Sequence, residues 1–513
     1  MTQAPGICFP PGPDGKASSR IAGTRIMAAA LGALDAGHAS EALAEPRWRH
    51  AYPLHFRRLV AGAMHSHEAA LASARAGLDA AWNELAFTRA DGTGTTLRKA
   101  LDDAAPDLHS TTFQGRGDAR PEPWRVPLRG ALLEGDALAR QIDDWLARGI
   151  IEASAAAALQ RCRRHPEWFD LSDRRLVLLG AGSEAGPLRW LARWRANIVA
   201  IDVAREPVWQ RIAGIVAEGN ARLVAPLRRA AAKQAGPAQW ASDAGVDLLA
   251  DAPAAAAWLR AIAAREGGLD IAALGYLDGE RHVRLSLAMD MVQAVLCGAD
   301  ARTTLAWMAT PTDVFAIPEA TARRALVAYD ARPALQRGLQ APLRLAAGER
   351  LFHPNVERIA HNDAGFAWGL ADSLVVEQGP NYALAKRLQQ WRAIVARDAG
   401  HRAVLNIAPS TTTETVVRNP ALAAGFAGAS AFGIEVFEPA TTNAIMAALW
   451  VHDLRSDASA ADPRRELAHP HELFMDNACH GGLWTGAYRA RSALPLAAAL
   501  GWLRGRLGLD DSA

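Results

Sequence analysis

A chain of 513 residues is too long for one ordinary domain and points to two or three. Half of the residues are hydrophobic and 21% are charged, so a sizeable core can be buried. A net charge of +2, with no Lys/Arg block, argues against nucleic acid as a partner, and no run reaches the ~18 apolar residues of a membrane span. Cys8, Cys162, Cys297 and Cys479 lie far apart, which suits reduced thiols in a cytoplasmic protein. The Pro/Gly-rich start, Met1 to Arg20, does not read as a signal peptide. The excess of Ala and Arg over Lys suits a GC-rich bacterial genome.

Residues 1–130 read as a helical N-terminal region and 131–171 as a helical connector. Ile21 to Leu34, Leu54 to Ala63 and His67 to Phe87 keep helical apolar spacing. His50, His55, His65 and His67 show no zinc-ligand spacing, so no metal is expected. Residues 110–130, rich in Gly and Pro, read as a linker. Helices are expected over Gly135 to Arg148 and Glu152 to His165. This region can pack on the core, cover a substrate or form a homo-oligomer contact.

The pattern changes at Arg175. Leu176-Val177-Leu178-Leu179 is a strand-like run that ends in Gly180-Ala181-Gly182-Ser183-Glu184-Ala185-Gly186. A helix is expected over Leu188 to Trp194, then a strand from Ile198 to Ile201 ending at Asp202. Glycines let a backbone approach a pyrophosphate, and an acid some twenty residues on can hold ribose hydroxyls. An acid there disfavours a 2′-phosphate, so NAD is expected over NADP. Val246 to Asp251, Leu269 to Gly275 and Thr303 to Ala309 read as further strands. The fold class is therefore α/β, a doubly wound parallel sheet over 172–450 behind an α-helical N-terminal region. Residues 313–375 interrupt it as an insertion fit to cover a substrate, and 451–513 form a tail and helix. In the tail, His469, His471 and His480 again match no common zinc spacing.

Tyr382 and Lys386 stand four apart at a helix start, so phenol and ammonium share one helix face. The chain has five tyrosines and only four lysines, Lys16, Lys99, Lys233 and Lys386, so chance would supply this spacing about 0.04 times. A nearby cation favours a phenolate and would bring its pKa towards the working range. A strand, Val404 to Ile407, follows and leads to Pro409.

Together, Tyr-x-x-x-Lys, the following Asn-x-x-Pro strand and the glycine turn resemble the short-chain dehydrogenase/reductase family. The resemblance covers roughly 172–450 and implies a Rossmann-like fold with hydride transfer between NAD(H) and a carbonyl or secondary alcohol. It gives Tyr382 the acid/base role and Lys386 the nicotinamide ribose. It places the carbonyl-orienting hydroxyl of the family's serine at Thr310 or Thr312, or at Ser373 if the insertion redraws the site. It puts the dinucleotide against Gly180, Gly182, Ser183, Gly186 and Asp202, with Asp251 at the adenine, Gly275 after the fourth strand, and Pro409 and Thr413 or Thr415 near the carboxamide. The chain departs from the pattern at Glu184, where the family has glycine, at Leu274-Gly275, where its asparagines are missing, and at Arg284, in place of a relay asparagine. Two other readings stay open. A glycine-rich turn with a following acid also suits an S-adenosylmethionine-dependent methyltransferase, in which Tyr382 and Lys386 would have no role. A non-catalytic scaffold on the same fold is the third.

Overall fold

Alternate residues of the apolar runs after Arg175 face opposite ways, and both faces are buried. Val177, Leu179, Val199 and Ile201 join one core; Leu176, Leu178, Ile198 and Ala200 join another. That is the signature of a sheet covered by helices on each side. The computed structural model describes residues 4–12, 15–229, 240–346, 351–413 and 420–507.

The central sheet has seven strands: β1 His109–Gln114, β2 Arg175–Leu179, β3 Asn197–Ile201, β4 Arg222–Leu227, β5 Asp270–Ala273, β6 Thr304–Ala309 and β7 Ala403–Ile407. Their order is β7-β6-β5-β2-β3-β4-β1. All pairs are parallel except β1 with β4. Leaving out β1, the order is 3-2-1-4-5-6, that of doubly wound dinucleotide-binding sheets, and it reverses between β2 and β5. Helices Leu248–Glu266, Glu280–Ala299 and Gly379–Asp398 pack on one face; Gly135–Arg148, Ala153–Arg164, Glu206–Glu218 and Pro439–Arg455 pack on the other. The fold is the expected α/β class.

Several expectations need correction. Residues 246–251 are not a strand. Asp247 caps a helix there, accepting from the Leu249 N–H at 2.9 Å, and the third parallel strand is β4. A short apolar run reads equally as buried strand or helix start, and Pro226 disguises β4. The 110–130 linker contains most of edge strand β1 and, with the next residues, a hairpin of Val126–Leu128 and Ala131–Leu133. Gly6–Cys8, Ala86–Thr88 and Gly94–Thr96 form a small antiparallel sheet within the N-terminal region, which is therefore not purely helical. The 313–375 insertion holds two helices, Glu319–Asp330 and Ala334–Ala346. It adds an antiparallel sheet of Val314–Pro318, Ile359–His361 and Ala367–Asp372.

The N-terminal helices share the core of one sheet face. Helix His67–Glu84 lies against Gly379–Asp398, so close that a Cβ on Gly77 would come 2.4 Å from the Trp391 ring. The Trp82 indole donates to Asp290 at 2.7 Å, and Arg392 holds the same carboxylate at 2.5 and 2.9 Å. Arg387 and Asp313 form a fully buried pair at 3.0 Å, completed by Gln390 at 2.7 Å.

Candidate active site

Gly379 has φ +81°, and Pro380 occupies the first turn of the helix it opens. This start projects Tyr382, with Lys386 one turn behind, over the C-terminal ends of β5 and β6. The Thr310 hydroxyl, just past β6, is near enough to the Tyr382 phenol to favour its ionised form. It also lies 2.7 Å from the Thr312 hydroxyl. Lys386 reaches the same strand end. Its Nζ donates to the Met308 carbonyl at 3.5 Å and Gln389 Oε1 at 3.4 Å, and sits 5.9 Å from the Tyr382 ring centroid. Thr310, Tyr382 and Lys386 thus converge.

Electrostatics differ from the expectation. Burial pushes the Tyr382 phenol up to about 12, against the influence of the Thr310 hydroxyl. Burial also pushes Lys386 down to about 8, against the attraction of Asp313. Desolvation dominates at the phenol, and the Asp313 charge raises it further.

Two aromatic groups that the sequence did not suggest complete the wall. His282 stacks on Tyr382 with centroids 5.6 Å apart, and Tyr276 lies 4.8 Å from His282 and 6.1 Å from Tyr382. Neither His282 ring nitrogen has a partner among the described residues. Burial, then the Lys386 charge, hold His282 well below its usual pKa, so it is neutral at pH 7. The one available signal was Tyr276 directly after Gly275 at a strand end.

Beside this cluster is the point where the strand order reverses. Gly180 has φ +92°, and a Cβ there would lie 2.6 Å from Gly275 Cα, so the loops after β2 and β5 touch. The Gly182 and Val203 N–H groups donate to Asp202 at 2.7 and 2.8 Å. Burial raises the Asp202 pKa; these two N–H groups and Arg211 oppose it. Arg211 also donates to the Gly182 carbonyl at 2.7 Å. Ser183 and Gly186 close tight turns, Ser183 N–H to Gly180 and Gly186 N–H to Ser183.

These residues fit a dinucleotide. A carboxylate offers about four acceptor sites, and Asp202 spends two on backbone, leaving capacity for a ribose diol. One element falls short: the helix after the turn is a single turn, Leu188–Leu191, rather than reaching Trp194. Asp251 lies in the first turn of the helix after β4, where Arg228 holds its carboxylate. Pro409 follows β7, and Thr413 turns back on the Thr411 carbonyl at 2.9 Å. Thr415 lies outside the described residues. Arg284, on helix Glu280–Ala299, donates to the Ile7 carbonyl. Ser373 is buried beside Asp313, and its hydroxyl has no hydrogen-bond partner among the described residues. Thr310, not Ser373, therefore stands at the phenol.

A mainly apolar cavity of about 70 Å³ opens from Thr312 and Ser410 to Phe426, Phe432, Tyr488 and Leu494. Segments after β7 cover it, and among the described residues of the insertion Val375 lines it. In the tail, His469 Nε2 contacts the Ala63 carbonyl at 3.1 Å, and His480 Nε2 pairs with Glu152 at 3.0 Å. No protein-family model and no curated protein matches the chain, so the reading of the site rests on this geometry.

Proposed function

We propose that the protein is an NAD(H)-dependent oxidoreductase of the short-chain dehydrogenase/reductase type, acting on a carbonyl or secondary alcohol of an apolar substrate. The observation that carries this is the convergence of Thr310, Tyr382 and Lys386 beside the Gly180–Gly275 crevice. Ligands of such sheets bind outside the carboxyl ends of the strands, where the order reverses. NAD bound there supplies or accepts the hydride. Asp202 would hold the adenosine ribose and disfavour a 2′-phosphate, so NADP suits the site less well.

With its pKa near 12, Tyr382 is protonated at neutral pH and is set to give a proton to a carbonyl oxygen. The Thr310 hydroxyl orients that oxygen, and Thr312 continues the hydroxyl chain towards the apolar cavity. Lys386 holds the nicotinamide ribose and offsets the charge left on the phenolate. The unpaired thiols of Cys8, Cys162, Cys297 and Cys479 suit a reducing cytoplasm.

Isothermal titration with NADH, with turnover of a panel of apolar ketones, tests the reading. Tyr382→Phe should bind NADH within about twofold of wild type yet lose roughly 10²–10⁴ in kcat. Thr310→Val should lose kcat in the same direction, and Ser373→Ala should not. Near wild-type turnover by Tyr382→Phe would remove the proposal. Binding of S-adenosylmethionine without dinucleotide would replace it with a methyltransferase. The one-turn helix at Leu188–Leu191 favours the scaffold alternative, which binding of neither ligand would support.

A further inference from the structure

Helix Ala334–Ala346 is built inside out. The one residue it buries is Gln340, while Leu335, Leu339, Leu343 and Leu345 are 76, 63, 51 and 78% exposed. Leu335, Leu339 and Leu343 recur every four residues, so they form one stripe along the helix. A surface helix ordinarily turns such a stripe to the core. Here the core side is polar by design. The amides of Gln336 and Gln340 bond the Tyr488 hydroxyl at 3.1 and 2.7 Å, which fixes the helix with its leucines outward.

Tyr488 stands just before helix Ala490–Leu507, which repeats the arrangement. Its inner residues Ala493, Leu494 and Ala497 line the apolar cavity. Its outer residues Leu500, Trp502 and Leu503 are 39, 53 and 47% exposed. Neither helix contains Asp or Glu; Arg337 is exposed and Arg506 lies over the Trp502 ring at 3.9 Å, while Arg344 turns inward to the Tyr329 hydroxyl at 3.4 Å and Arg504 donates to Ser430 at 2.9 Å. No described helix is long and apolar enough to cross a bilayer.

We propose that these two helices form a docking surface for an anionic lipid bilayer, on which they lie in the plane of the headgroups. Apolar side chains with a tryptophan beside arginines, and no acids, are the composition that binds such an interface. The charge argues against a second copy of the chain as occupant, because like surfaces would set arginines against arginines with no acid within either helix. The surface adjoins the cavity at Tyr488 and along helix Ala490–Leu507, so an apolar molecule leaving the bilayer meets the cavity wall at once. This placement does not depend on the chemistry proposed for Tyr382.

The test is co-sedimentation of the full chain with vesicles of phosphatidylcholine alone and of phosphatidylcholine with 30% phosphatidylglycerol. The wild type should sediment with the anionic vesicles, at least tenfold more strongly than with the neutral ones, and release in high salt. Leu339→Ser/Leu343→Ser alters exposed positions only, and should lower binding at least tenfold with an unchanged circular dichroism spectrum. Trp502→Ser/Leu503→Ser should do the same from the second helix. Absence of binding to anionic vesicles, or wild-type binding by either double variant, would overturn the proposal. A dimer that Leu339→Ser/Leu343→Ser dissociates, in a protein that ignores vesicles, would assign the surface to self-association instead.

Discussion

Burial moves the two central ionisable groups away from each other: Tyr382 to about 12 and Lys386 to about 8, from an ordinary lysine value of 10.5. For Lys386 the folded state holds the proton less tightly than the unfolded chain. Between about pH 8 and 10.5 the unfolded chain therefore binds more protons, and this group's contribution to stability rises with pH across that window. Urea unfolding at pH 7.5, 9 and 10.5 should show the rise, and Lys386→Met should flatten it. The same titration removes the charge that the proposed chemistry needs, so ketone reduction should decline above about pH 8 while stability climbs. A wild-type stability profile that falls over this window would contradict the burial of Lys386.

At the scale of elements, the closest backbone approach in the site is between the loops after β2 and β5. Gly180→Ala adds a Cβ 2.6 Å from Gly275 Cα at a φ of +92°, where side chains are strained. Gly186→Ala meets its nearest neighbour, the Ser183 carbonyl, at 3.1 Å, a tight contact but a smaller overlap at an ordinary φ. Gly180→Ala should therefore lower the melting temperature by several degrees and abolish NADH binding, with Gly186→Ala the milder of the two by both measures. The parallel strands and this loop were legible because each is local: an apolar run, then glycines, then an acid. Helix Gly135–Arg148 was legible to the residue, closed by Gly149 in the left-handed conformation. The edge strand His109–Gln114 was not, since it is mostly exposed and gains its order from β4. The start of Leu248–Glu266 was ambiguous because Val246 to Ala250 is a short run, mostly apolar. At the site, Tyr382 and Lys386 could be read from spacing and rarity. Tyr276 and His282 could not, because only the packing of Glu280–Ala299 against Gly379–Asp398 brings them to the phenol.

At the scale of the molecule, the N-terminal helices are held by residues that come much later. Trp82 depends on Asp290 and Arg392, and Gly77 is shaped to the Trp391 ring. On the ribosome, helix His67–Glu84 is complete some 300 residues before its partner Trp391 is made. At ~5–20 residues per second, its apolar face waits roughly 15–60 s for that partner. A chain ended before Gly379 should thus bind a fluorescent hydrophobic dye and aggregate, whereas the full chain does not; a soluble, monomeric, dye-silent fragment would refute this. Production of the protein is then limited by protection of the nascent N-terminal segment, and chaperone supply or slowed translation should raise its yield more than any change at the active site.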